Sequence, residues 1–187
     1  MSNRNDPRAI RIRRLIQDAF LELVKTRDFE DITVADIAEK ATVNRATFYA
    51  HFQDKYALLE TVIKDRIQGY LQKNLEEKKG LGQENLRSLI CAVCDYHDGL
   101  SVRCRAVHKI FTQLVESEIR SAVLKMYPDK PGDGRFGILA DMLSCSIYGA
   151  VNRSYLTAGL KNREELAAQM LPFLLAGISA VLSEAKC

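Results

Sequence analysis

Apolar residues recur along this chain three and four positions apart, the period of a helix that buries one face. Ile12, Leu15, Ile16, Ala19, Phe20, Leu23 and Val24 share such a face and predict a first helix from about Pro7 to Thr26. Pro7 suits an initial helical position, where its missing N–H costs nothing. Residues 27–31 form a polar break around one aromatic anchor, Phe29. Thr33 then starts a short helix that ends near Lys40, and Thr33 with Asp36 has the spacing of a capping box. After a turn at Ala41, Thr42 and Val43, Asn44 is a good N-cap for a second short helix, Arg45 to about His51. Asp54 can cap a long helix from Lys55 to about Lys79, with Tyr56, Leu59, Ile63, Ile67 and Leu71 in register.

Gly80 and Gly82 interrupt the pattern at a loose boundary between two parts. Leu86, Leu89, Ile90 and Val93 mark another helix, stopping at Gly99, and Val107, Ile110, Phe111, Leu114, Ile119 and Leu124 continue the helical theme. Residues 127–134, YPDKPGDG, read as a loop. Two final helices are expected at about 135–158 and 163–186, Gly159 ending the first and Asn162 with Glu165 boxing the start of the second. Only 4 prolines and 10 glycines occur in 187 residues, which favours an all-α protein. A chain of this length buries most of its apolar surface without staples.

Charge changes the picture only locally. The net charge is +3, but residues 1–14 hold Arg4, Arg8, Arg11, Arg13 and Arg14 against one acid, Asp6. A nucleic-acid arm and a solvated terminus both fit such a segment. Met1–Arg14 has no apolar run of a secretory leader, and no apolar stretch approaches the ~20 residues that cross a bilayer. With an odd cysteine count of 5, the expectation is a cytoplasmic protein with free thiols and no membrane partner.

The informative stretch is Thr33 to Phe52, TVADIAEKATVNRATFYAHF. Two short helices joined by a tight turn need a third behind them, and the Ile12–Val24 face supplies it. Such a unit offers its second short helix as a ridge that fits the major groove of B-DNA. With Phe48 and Phe52, four apart, turned to the core beside Val43, the residues Arg45, Thr47, Tyr49 and His51 are left for solvent. Arg45 can fork onto guanine, while Thr47, Tyr49 and His51 can donate to phosphate oxygens. Lys55 and the helix start at Thr33 lie within reach of the same backbone, and Asn44 joins them as a candidate contact.

In these residues the chain resembles the TetR family of bacterial one-component regulators. The likeness rests on Thr33-Val-Ala-Asp-Ile37-Ala38, Val43 after the turn, Thr47-Phe48-Tyr49-Ala-His51-Phe52, and Asp54-Lys55-Tyr-Ala-Leu58-Leu59. It spans about Arg8 to Ile63. One departure is Thr42, where the family usually has glycine; a left-handed threonine is strained by ~1 kcal/mol. The resemblance implies a helix-turn-helix domain over residues 1–60 and a helical regulatory and dimerisation domain over 61–187, linked by a long helix. It also implies a homodimer on palindromic double-stranded operator DNA, repression, and a small-molecule effector, with no cofactor, no metal and no catalysis. For the dimer, the candidate stripe is Leu166, Met170, Phe173, Leu174, Gly177, Ile178 and Val181, with small residues at Gly137, Ala140, Ser144, Ser146, Gly149 and Ala150.

Other groupings point elsewhere. Cys91, Cys94 and His97, followed by Cys104 and His108, have soft-ligand chemistry that could take metal or sense oxidants, although cysteine more often fills a helical core. Tyr96, Phe111, Met142, Tyr148 and Tyr155 could line a pocket or be plain core. Gly132-Asp133-Gly134 lacks the strand and spacing of a phosphate loop. No nucleophile triad or carboxylate pair stands out. The alternatives to an effector-responsive regulator are a protein of this fold acting through protein contacts, a thiol- or metal-sensing regulator, and a small enzyme using Cys91, Cys94 or His97.

Overall fold

A computed structural model describes residues 6–75, 79–99, 112–127, 134–157 and 162–183. Arg4, Cys104, Val107, His108, Ile110, Phe111, Gly132, Asp133 and Gly159 lie outside the described residues. Every regular element described is helical: α1 (Pro7–Thr26), a 3-10 turn (Phe29–Asp31), α2 (Val34–Lys40), α3 (Arg45–His51), α4 (Lys55–Leu75), α5 (Gln83–Asp98), α6 (Thr112–Met126), α7 (Gly134–Leu156) and α8 (Arg163–Ser183). The expected all-α fold is the one observed. α4 is described as far as Leu75, and Lys79 lies outside any helix.

The chain divides into two compact units inside α4, after Ile63. In the first, α1 packs on α2 and α3, and α2 on α3. Ile16, Phe20, Phe29, Ile32, Ile37, Phe48, Leu58 and Ile63 form its core. The apolar face of α1 is narrower than its sequence suggests, because Leu15 is exposed; Tyr56 of α4 is exposed too. Asp6, the one acid of the basic tip, is the N-cap of α1 and accepts from the Arg8 N–H at 2.9 Å.

In the second unit α6 packs on α7, while α5 packs on both α7 and α8. Leu86, Leu89, Ile90, Val93, Val115, Ile119, Val123, Leu143, Ile147 and Val151 fill its interior. The Asn162 side chain opens α8 by accepting from the Glu164 N–H at 3.0 Å. The α8 stripe does not act as one surface: Leu166, Leu174 and Ile178 are buried, while Phe173 is 72% exposed. Leu174 is therefore core. Ala140 and Ser144 of α7 also turn inward. One expectation is overturned: residues 163–182 of α8 are long and apolar enough, by length and composition, to cross a membrane, with a mean hydropathy of 1.7.

Candidate nucleic-acid interface

The geometry of residues 33–55 is set by helix ends. At the start of α2 the Thr33 hydroxyl accepts from the Asp36 N–H at 3.2 Å, and the Thr33 N–H donates to the Asp36 carboxylate at 2.8 Å. This is a complete capping box with aspartate in the usual glutamate position. The Thr33 hydroxyl also donates to that carboxylate at 2.6 Å, and Arg27 pairs with it at 3.1 Å. The hydroxyl and N–H of Thr33, with the Arg27 guanidinium, hold the Asp36 carboxyl well below the usual carboxylate range.

The far end of α2 closes in a Schellman motif. The Val43 N–H reaches back to the Ala38 carbonyl at 2.9 Å and the Thr42 N–H to the Glu39 carbonyl at 3.0 Å. The geometry requires a left-handed residue between them, and Thr42 takes it with φ 57°. It is the sole positive-φ residue other than glycine among the described residues. Asn44 then starts α3 by accepting from the Thr47 N–H at 2.7 Å. Asp54 does the same for α4 through the Ala57 N–H, also at 2.7 Å.

Between these caps α3 is rotated with Phe48 and Phe52 fully inside. Their rings lie 5.9 Å apart, and Tyr49 stands edge-on to Phe48 at 5.6 Å. Asn44, Arg45 and Tyr49 are exposed; Thr47 and His51 are half-buried. Ala46 and Ala50 are exposed beside Arg45 and Tyr49, four residues apart on one face. Sequence reasoning passed over these alanines, because a small residue leaves the hydrophobic period unchanged wherever it points. It also missed Arg13. That guanidinium donates to the Thr61 hydroxyl at 3.2 Å and lies 4.5 Å above the Phe52 ring, tying α1 to the end of α3 and to α4.

Lys55 and Thr33 are engaged differently from expectation. The Lys55 ammonium donates to the carbonyls of Phe29 at 2.9 Å, Glu30 at 3.0 Å and Ile32 at 2.9 Å. An ammonium has three protons, and all three are taken. It also sits 4.6 Å over the Phe29 ring. Lys55 thus locks the 3-10 turn that leads into α2, an engagement different from the phosphate contact expected of it. The Thr33 hydroxyl and N–H are likewise committed to Asp36, so neither is free for a phosphate.

The cysteine and aromatic groupings resolve separately. Among the described residues no three His, Cys, Asp or Glu side chains meet as metal ligands. Cys94 is buried and its thiol is pushed up to about 12 by that burial, which makes it a poor nucleophile. His97 is buried and stacked, 5.7 Å from the Tyr148 ring and 5.0 Å from the Tyr155 ring. The Tyr155 hydroxyl donates to the Asp98 carboxylate at 2.7 Å. Met142, expected with these rings, is 59% exposed on α7.

Residues 16–62 match the family described as bacterial regulatory proteins, tetR family. An uncharacterized HTH-type transcriptional regulator, YxbF of Bacillus subtilis (strain 168), is 43% identical over 54 residues, 29% of this chain and 14% of that protein. The matched segment is thus about one-seventh of that relative's length. Among solved structures, the dihydroxyacetone kinase operon activator DhaS superposes with a TM-score of 0.63 at 20% identity, covering 91% of this chain and 98% of that one. A tetR-family transcriptional regulator from Streptomyces coelicolor gives 0.61 at 15% identity, covering 94% and 83%. At these identities the likeness is one of fold.

Proposed function

We propose that this chain, in which residues 16–62 match the tetR family of bacterial regulatory proteins, is a transcriptional regulator that binds operator DNA as a homodimer and answers to a small-molecule effector. The observation that carries the reading is the α3 ridge. Its aromatic residues are pinned inside and its outer face is Arg45, Ala46, Tyr49 and Ala50. Arg45 bonds a guanine edge. Ala46 and Ala50 let the helix seat deeply and meet thymine methyls, while Tyr49, Thr47, Asn44 and His51 hold phosphates. Lys55 is left out of this set, and Arg13 holds the ridge in place.

The second unit supports the dimer. Ile138, Met142, Cys145, Gly149 and Leu156 are exposed along one side of α7. On α8 only 28% of the apolar window is buried, and Pro172, Phe173, Ala176, Gly177 and Ala180 face outward. A second copy covers this face, and the two-fold axis gives a palindromic operator its two half-sites. Repression follows when that operator overlaps a promoter, and such a protein works in the cytoplasm.

A footprint of the purified protein on the DNA upstream of its own coding sequence tests this. Two protected half-sites related by a dyad are expected, with Arg45→Ala weakening both at least ten-fold. No protected site at any protein concentration overturns the reading.

A further inference from the structure

In the second unit α6 is tied at one point to α4 and at another to the segment at Lys79 and Gly80 that leads into α5. At one, Glu118 accepts from the Gln68 amide at 2.8 Å and pairs with Lys64 at 3.4 Å. At the other, the Gly80 N–H donates to the Met126 carbonyl at 2.6 Å. Between the ties lies a cavity of about 580 Å³. Small-molecule clefts run from about 300 to 1,000 Å³. Its apolar wall is Leu71 and Leu75 of α4 with Ala122 and Met126 of α6.

The polar groups on its rim are unequal. Glu118, the one acid among the described residues that line the cavity, is paired with Lys64. Lys79 and Lys125 also line it, and among the described residues no ion pair or hydrogen bond engages either ammonium. They are neighbours, because the Gly80–Met126 bond joins the residues that follow each lysine. A lysine at a helix end often does no more than offset exposed carbonyls. Here part of that role is already filled: at the end of α6 the Tyr127 N–H serves Leu124 and the Gly80 N–H serves Met126, and beside them the Asn85 amide serves the carbonyls of Lys79 at 2.7 Å and Gly80 at 2.8 Å. The segment carrying Lys79 is also built to hold its place, with Gly80 at φ 82°, a backbone conformation that a side chain would strain.

We propose that this cavity binds a small amphipathic anion, its hydrocarbon body against Leu71, Leu75 and Met126 and its carboxylate between Lys79 and Lys125. The site deepens the effector reading above and rests on it for its regulatory part: the ligand lies against α4, the helix whose first residues, from Lys55, belong to the other compact unit. A ligand that binds one arrangement of α4 better than another shifts operator affinity, and operator DNA must shift ligand affinity by the same factor.

The test uses the full chain labelled at its methionine methyls, of which there are 4, with decanoate, decanol and decyltrimethylammonium as probes. Decanoate is expected to move the buried Met126 methyl saturably and leave the exposed Met142 methyl in place, with decanol at least ten-fold weaker and the cation weaker still. Lys79→Gln with Lys125→Gln should erase the preference for decanoate over decanol. An unmoved Met126 methyl, equal affinity for acid and alcohol, or an undiminished preference in the double variant overturns the site. Operator affinity is read separately. Binding at Met126 with unchanged operator affinity overturns the regulatory role but not the site, and a chain that binds no DNA leaves the methyl result to decide the cavity.

Discussion

The two compact units dispose of their apolar residues in different ways. The first closes its helix ends with its own polar groups: Asp6 on α1, Thr33 with Asp36 on α2, Asn44 on α3, Asp54 on α4, and Lys55 across the 3-10 turn. The outer face of its ridge is polar or small. Among the described residues the first unit spreads its exposed apolar and aromatic side chains, Ile10, Leu15, Tyr49 and Tyr56, over α1, α3 and α4, whereas the second leaves Ile138, Met142, Leu156 and Phe173, each at least half exposed, all on α7 and α8. A domain that must present a fixed ridge to a charged polymer has to be complete on its own. In the proposed dimer a second copy covers the apolar surface left by α7 and α8. The contrast also explains how α8 can be apolar enough to span a membrane and still suit a dimer: its second apolar side fits a second copy as well as lipid.

The largest effect that can break this comparison comes from two phenylalanines. Phe48→Ala empties a fully buried position and should cost about 3–5 kcal/mol of unfolding free energy. Phe173→Ala removes a ring that is 72% exposed and should leave monomer unfolding nearly unchanged while shifting the chain toward monomer in sedimentation. Urea unfolding at a concentration low enough to give monomers separates the two. An equal loss in both variants would mean that α8 is finished within one chain. Copper-catalysed oxidation sharpens the point, because Cys145 lies exposed on the α7 stripe and should cross-link two copies.

Next in size is Lys55. As a lock on three carbonyls, its replacement in Lys55→Met should destabilise the first unit by about 2 kcal/mol. Operator binding should weaken as that unit loosens, with the salt dependence keeping its slope. A phosphate ligand behaves otherwise: its loss leaves stability alone and lowers the slope by about one. Thermal unfolding with a salt titration of operator affinity decides between the two roles.

What could be read in advance follows from sequence separation. Caps are local, so Thr33 with Asp36, Asn44 and Asp54 each signal a helix start to a partner three residues on, and the strained turn at Thr42 is equally local. The partners of Lys55 are 23 to 26 residues away, and nothing in the local pattern signals an ammonium turned inward. His97 meets Tyr148 and Tyr155 only because α5 packs on α7. On α8 both faces are apolar, so periodicity could not separate buried Leu174 from exposed Phe173 beside it. The fold class and the ridge were thus legible. The side chains that hold the ridge, and the division of the apolar stripe, depend on long-range packing.

A smaller effect tests how finished the first unit is. Thr42 holds a left-handed conformation at φ 57°, and the Schellman geometry keeps it there. Thr42→Gly relieves that strain and pays back part of it as unfolded-chain entropy. The net gain should be about 0.5 kcal/mol, measured by urea unfolding. A loss would mean that the threonine side chain makes a stabilising contact that outweighs its backbone.

The smallest effect is a dependence on pH confined to α2. The Thr33 hydroxyl and N–H, and Arg27, favour the ionised form of Asp36, so its folded pKa lies below that of the unfolded chain, ~3.9. The folded state then binds fewer protons than the unfolded state in that range. Its contribution is fully present above about pH 4 and fades as the pH falls toward the folded value. Acidification should therefore loosen the start of α2 before it affects α7, where the box has no counterpart. Hydrogen exchange reads this directly: α2 amides should lose protection relative to those of α7 as the pH falls below about 4. Asp36→Asn retains an acceptor but has no charge to lose, so its α2 amides should start less protected and change little over the same range. If wild type and Asp36→Asn lose protection in parallel, the carboxylate is not what closes the helix, and the contrast between a polar-capped unit and an apolar-faced one loses its clearest local support.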